Sequence, residues 1–317
     1  MKLKLLTSAA ALAVAGSVFT ATAAKAEELW DPYLRGFGEG IPSGALAPPG
    51  FYGELDNYYA DYTKYDRNGN SIPGTHLSAL VEVPVLIYIP NFKVLGATYG
   101  MAIGLPFDYT SYAPTQSEHP GGGNLGMYNT VLIPGALSWQ LPHNLFARVS
   151  LTVLLPTATN TMSDYFQGNV KNGGVPSGNA FTTFQPDFAV SWLYNGWNVT
   201  AAGHVSFNVG DDNNYAGIHG NSYHSTSEFT ADYAVTKTMG RWTLGVGGSQ
   251  ANQFSNDTLN GASVANTRVT SYSVGPIVGY EFPGGMSVTA VWNHFVSVHN
   301  DVGGDFVDFR FLTAFEG

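Results

Sequence analysis

Cysteine is absent from all 317 residues. That excludes a disulfide framework and leaves stability to a large hydrogen-bonded fold. Charge is scarce too, at 11% of residues, with 13 basic residues against 23 acidic ones. The net charge of −10 becomes −13 once the three Lys of the first 26 residues are set aside. Such a balance argues against nucleic acid and anionic membrane surfaces as partners. Past the N-terminus no apolar run approaches the ~20 residues that a membrane-spanning helix needs. Any crossing of a membrane must therefore be made by strands.

What is present points the same way. Lys2 and Lys4 precede an apolar stretch from Leu5 to Phe19, and Ala24-Lys25-Ala26 offers the small-x-small pattern of a cleavage site. Residues 1–26 are expected to be an export signal, with the mature chain starting near Glu27. The chain as a whole is rich in Gly (38), Phe (19) and Tyr (18), the composition of strands joined by tight bends.

Twelve strand-like segments are expected, at about 51–64, 75–89, 92–107, 125–140, 144–155, 181–194, 197–209, 222–238, 241–254, 268–282, 286–298 and 305–315. Short connections with turn chemistry, such as Asn195-Gly196 and Pro283-Gly284-Gly285, alternate with longer polar ones, such as 108–124 and 156–180. Short turns on one side and long loops on the other are the pattern of a transmembrane antiparallel up-and-down β-barrel with both termini in the periplasm. Residues 51–317 are assigned to this barrel, whose partner is outer-membrane lipid.

Alternation within the strands bears on facing. Leu77, Ala79, Val81, Val83, Val85, Ile87 and Ile89 share one face, and His76, Ser78 and Glu82 the other. Leu145, Ala147, Val149, Leu151, Val153 and Leu155 oppose Asn144, Arg148, Ser150 and Thr152 in the same way. Period two requires each set to share a face, and in a membrane barrel the apolar set is expected to meet lipid. This extrapolation makes Glu82, Arg148, Asp187, His204, Glu228, Asp232, Glu281, Asp308 and Arg310 the expected lumen lining. The final strand alternates Val307, Phe309, Phe311, Thr313 and Phe315, like the aromatic-rich strand offered to the barrel-assembly machinery, although Glu316-Gly317 follow it.

Several short pieces keep a recognisable order: Gly36-x-Gly38-x-Gly40, Pro48-Pro49-Gly50-Phe51-Tyr52, Tyr58-Tyr59-x-x-Tyr62, Asp66-x-Asn68-Gly69, 181–186, Asn213-Asn214-Tyr215 and 275–280. Together they resemble the meta-pathway phenol degradation family, the SphA-like outer-membrane proteins. The resemblance implies an outer-membrane channel for passive uptake of small hydrophobic or aromatic compounds. Residues 27–50, with Gly and Pro around Leu34, Phe37 and Ile41, suit neither strand nor helix. They fit a periplasmic tail or a plug folded into the lumen, and the family match favours the plug.

Two other function classes compete. One is a closed structural or surface-recognition barrel without transport. The other is an outer-membrane lipid hydrolase, but no G-x-S-x-G elbow occurs and none of the eight His can be paired with a Ser from sequence. No enzymatic activity is expected, and no cofactor. No metal is expected either: H-E-x-x-H is missing, and Asp66-Arg67-Asn68-Gly69-Asn70 lacks the turn Gly and the Glu of a calcium loop.

Overall fold

The computed structural model describes residues 30–117, 119–170 and 172–315. The expected signal segment and Glu316-Gly317 lie outside them. Twelve strands form the wall: β1 (Gly50–Tyr65), β2 (Ser71–Ile89), β3 (Ala97–Gly104, continued by Phe107–Tyr112), β4 (Asn124–Met127, continued by Thr130–Leu141), β5 (Leu145–Leu155), β6 (Thr182–Tyr194), β7 (Trp197–Val209), β8 (Glu228–Met239), β9 (Trp242–Gln253), β10 (Thr270–Glu281), β11 (Ser287–His299) and β12 (Val302–Phe315). Each pairs antiparallel with its sequence neighbours, and β1 closes on β12 with Tyr58 opposite Asp308. Closure pairs the strands around the cylinder except beside Asn124–Met127, so nearly all backbone groups are satisfied within the wall, as a bilayer requires.

Turn chemistry sets one end of this cylinder. Asn195 and Gly196 take φ of 47° and 75°, the double positive φ of a two-residue hairpin turn whose twist matches the flanking strands. The turn expected at Pro90-Asn91 is longer, because Lys93–Val94 folds back on Ala97 and Thr98 through Leu95-Gly96. At the other end, four short strand pieces (Asp212–Asn213, Ser222–His224, Thr258–Leu259, Ala262–Ser263) build a small sheet over the mouth. The first expected long connection, 65–74, is tight instead, with only 66–70 between β1 and β2. Asp66 closes it by accepting the N–H groups of Asn68 and Asn70 at 2.8 and 2.9 Å, an Asx turn that needs no metal.

The wall is uneven between β3 and β5. Pro106 cannot donate to the ladder, and pairing between β3 and β4 is interrupted at 105–106 and 128–129. Above that break Asn124–Met127 pairs with β3 alone, since β5 ends at Leu155 opposite Thr130. The loop after β5 fills the gap: Thr159 donates to the Met127 carbonyl at 2.9 Å, and Asn129 Nδ2 donates to the carbonyls of Leu155 and Asn179 at 2.8 and 2.9 Å.

Outside, the wall carries an apolar belt between two aromatic rings. Phe51, Tyr194, Trp197 and Trp242 are exposed near the turn end and Tyr59, Tyr109, Phe207 and Tyr272 nearer the loop end, with Val149, Leu151, Val190, Val246 and Val278 between. This is the surface of an outer-membrane barrel. The expected facing holds in β5, where Val149 is 48% exposed and Arg148 points inward to line an internal cavity. In β2 it is reversed. Leu77, Ala79, Val81, Val83 and Ile89 are buried inside the barrel, while Ser78 and Glu82 share the outer face with the exposed Leu80. Glu82 is therefore not a lumen residue; it stands outside, opposite Asn57 of β1 and Phe107 of β3. Alternation identifies a face without saying which side of the wall it is on, and here the interior beside β2 is itself apolar.

Candidate functional site

The interior is occupied by residues 30–49, which run from the loop end to β1. At the loop end Trp30 Nε1 donates to the Pro176 carbonyl at 2.7 Å and packs with Leu77 and Val302. Further down, Gly44 donates to Ser191 Oγ of β6 at 2.8 Å and its carbonyl accepts from Ser138 Oγ of β4 at 2.7 Å. The segment folds as successive turns, with the N–H groups of Phe37, Glu39, Ile41, Ser43 and Ala45 donating to its own carbonyls, and the wall satisfies others, as buried peptide groups require.

Charged side chains hold its middle. Arg310 of β12 donates through Nε to Asp56 of β1 at 2.7 Å and through Nη1 to the Glu39 carbonyl at 3.0 Å; it also donates to the Phe37 carbonyl. Asp308 flanks the same guanidinium at 3.2 Å. Asp232 of β8 accepts from Gly36 N (3.0 Å), Gly38 N (2.8 Å) and Tyr33 Oη (2.5 Å). Arg35 reaches across to Asp301 at 2.6 Å and Ser271 at 2.6 Å. Two glycines make these approaches possible. Gly36 has φ of 79°, and a Cβ there would lie 2.4 Å from the Phe306 ring. A Cβ on Gly247 would lie 2.0 Å from Glu39 Oε2.

The expected lining residues divide by position. Asp232, Asp308 and Arg310 meet the segment as above. Asp187 and His204 form a pair at 2.7 Å, with Tyr33 stacked on the imidazole at 3.8 Å between centroids. Asp187 also accepts from Thr152 Oγ1 at 2.6 Å and Gln185 Nε2 at 2.8 Å. Glu228 is buried inside near the loop end, and Glu281 lines the mouth at the turn end. Arg148 borders the main cavity.

That cavity has a volume of about 570 Å³. It lies between the segment and the wall of β2 to β5, lined by Val81, Val83, Val85, Ile87, Gly104, Val131 and Ile133 on one side and by Leu34, Phe37, Ile41 and Leu46 on the other. Its charged and polar lining includes Asp31 of the segment, Glu54 of β1, Asp108, Arg148, Gln185, Asp187 and His204. A second space of about 460 Å³ opens at the turn end beside Asn198, Thr236, Arg241 and Glu281. Pro42 and Leu193 border both spaces, so the turn at Ile41-Pro42 is the partition between them.

Several residues here escaped the sequence. Asp56 sits in the run Tyr52, Glu54, Asp56, Tyr58, whose even spacing was the available signal. Asp108 falls where Pro106 suggests that the strand has ended, yet Phe107–Tyr112 continues it. Asp108 is 2% exposed, and the Ser177 side chain is the polar group set against its carboxyl. Among the described residues no cation is paired with it, whereas Asp187 has His204, and Asp56 and Asp308 have Arg310.

Comparison places this architecture among known proteins. The COG4313 outer membrane channel from Pseudomonas putida F1 superposes with a TM-score of 0.72 at 15% identity, over 90% of this chain and 100% of that one. The β domain of the Bordetella autotransporter BrkA gives 0.46 at 10% identity, over 84% and 100% of the two chains. The Pseudomonas putida toluene transporter TodX gives 0.41 at 12%, over 90% and 94%. No protein of curated function matches the sequence. A family model matches residues 63–311, most of the barrel, and the chain therefore belongs to the family described as the putative MetA-pathway of phenol degradation.

Proposed function

We propose that this protein is a passive outer-membrane channel for small apolar and aromatic solutes, with the N-terminal segment at 30–49 acting as its plug. The apolar cavity of about 570 Å³ inside the barrel carries the reading. A polar solute would gain nothing from walls of Val, Ile and Leu, whereas each apolar Å² removed from water contributes about 25 cal/mol. The likeness to an outer membrane channel supports it. A path then runs from the cavity past Pro42 and Leu193 into the polar space at the turn end, where Arg241 and Glu281 face water.

Asp108 narrows the solute class. A buried carboxyl short of partners costs free energy; Asp108 has the Ser177 side chain but no cation beside it, where polar lining meets the apolar wall of the cavity. A hydroxyl satisfies a carboxyl in either protonation state, since it both donates and accepts. An ether serves only the protonated form, and an ammonium, which only donates, leaves the O–H of the protonated form without an acceptor. The preferred solute is an apolar body, ring or chain, bearing one hydroxyl. A photoactivatable alkylphenol tests the site: the wild-type protein should be labelled on peptides covering 81–87 and 131–133, with free alkylphenol competing. Labelling confined to the outer belt would overturn the reading.

A further inference from the structure

We propose that Ser78, His76 and Asp61 form a hydrolytic triad on the outer surface of the barrel, acting on ester-linked acyl chains of membrane lipid. The inference is independent of the channel. It rests on side chains on the opposite side of the wall from the cavity.

The geometry is set by strand register. His76 and Ser78 are two apart on β2 and so share a face, and Asp61 of β1 lies directly opposite Ser78. Ser78 Oγ is 3.1 Å from His76 Nε2, and His76 Nδ1 is 3.2 Å from Asp61 Oδ1. An ionised carboxylate only accepts, so Asp61 holds the imidazole as the Nδ1–H tautomer and leaves Nε2 free to accept the serine proton. Nucleophile, base and orienting acid are thus joined in the order that acyl transfer needs. All three look outward, with His76 55% and Asp61 54% exposed.

Their height on the wall defines the substrate. The exposed Leu80, Tyr59 and Tyr109 lie one step towards the membrane centre on the same face, about 7 Å along the strand from Ser78. The aromatic ring marks the boundary between acyl chains and head groups, which is where lipid ester carbonyls sit. A neighbouring pair, His294 and Asp305 at 3.1 Å, repeats the base and acid on β11 and β12. Asp305 is further engaged by Trp292 Nε1 at 3.1 Å, and Trp292 and Val296 occupy the positions where a serine two residues away would stand.

In the reaction Ser78 Oγ attacks the ester carbonyl carbon while His76 Nε2 takes its proton. The alcohol leaves with that proton as the C–O ester bond breaks, giving an acyl-serine. Water, deprotonated by the same nitrogen, then releases the fatty acid and restores Ser78. His76 and Ser78 are the catalytic residues, and Asp61 is a positioning residue that acts through His76.

The test uses the full-length protein in phosphatidylcholine vesicles and in detergent, with a fluorophosphonate probe. Wild type should be labelled at Ser78 and release fatty acid from the vesicles. Ser78→Ala should abolish both, and His76→Asn should lower release at least a hundredfold. Asp61→Asn should lower kcat at least tenfold with KM unchanged, and Asp61→Glu should recover part of it. His294→Asn should have no effect. Binding of alkylphenol in the cavity should be unchanged in Ser78→Ala, which separates this activity from the channel. Absence of label on Ser78, or fatty acid release that survives Ser78→Ala, would overturn the triad.

Discussion

Arg310 donates to the carbonyl oxygen of Glu39 at 3.0 Å across a sequence separation of 271 residues, so the last strand of the barrel holds the segment that precedes the first. The same guanidinium is the counter-charge of the buried Asp56 and Asp308. Removing one member of a buried ionic group strands the others and costs about 3–5 kcal/mol. Arg310→Met should therefore lower the temperature at which the barrel loses its compact form on a gel, and Asp56→Asn added to it should restore part of the loss. Deleting residues 31–47 should leave an assembled barrel with raised ion conductance in planar bilayers. Unchanged conductance would retire the plug.

Facing is testable strand by strand. Val149 meets lipid, so Val149→Arg carries the cost of an exposed cation at mid-depth, ~2–4 kcal/mol, and assembly yield should fall. Val83 is turned inward against the cavity. Val83→Arg should assemble better than Val149→Arg but lose alkylphenol binding. If the two variants assembled equally poorly, the inward assignment of β2 would be wrong.

Recognition at Asp108 predicts discrimination between matched solutes. The wild-type protein should bind 4-propylphenol about tenfold more tightly than 4-propylanisole, the range expected for one hydrogen bond to a buried group. Asp108→Leu should bring the two affinities together, and Asp108→Asn, which still donates and accepts, should keep part of the gap. Equal binding by wild type would leave the apolar channel standing and remove the role given to Asp108.

Outside the membrane, burial pushes the carboxyl of Asp212 from its ordinary 3.8 up to about 6, against the Ser163 N–H, which lowers it. Because the folded form holds its proton more tightly than the unfolded one, this group's stabilising contribution is complete below pH about 3.8. It declines as pH rises through about 6. Protease nicking of the loop at 211–224 should accelerate between those values, and Asp212→Asn should flatten the dependence. A wild-type profile without that rise would contradict the assignment.

How much of this was legible from residues alone depends on which interactions are local. Period-two alternation and the turn chemistry of Asn195-Gly196 or Pro283-Gly284-Gly285 act within a few residues, so the strand number and the two kinds of connection could be read directly. Arg148, Asp187, His204 and Asp232 lie on the inner side of the wall, where a charge is far cheaper than facing lipid. Glu82 and Ser78 do not lie there. Their strand has an apolar face towards Leu34, Phe37 and the cavity, and only the folded N-terminal segment determines that this face is the inner one. Asp108 was hidden by Pro106, which reads locally as a strand end although β2 and β4 carry the ladder past it. The pairing of His76 with Asp61 depends on the register between β1 and β2, which no local pattern encodes. Sequence thus determined that the chain forms a barrel, since that follows from backbone and side-chain periodicity. Which groups meet inside it, and on its rim, was decided by tertiary structure, because those contacts join residues that only closure of the wall brings together.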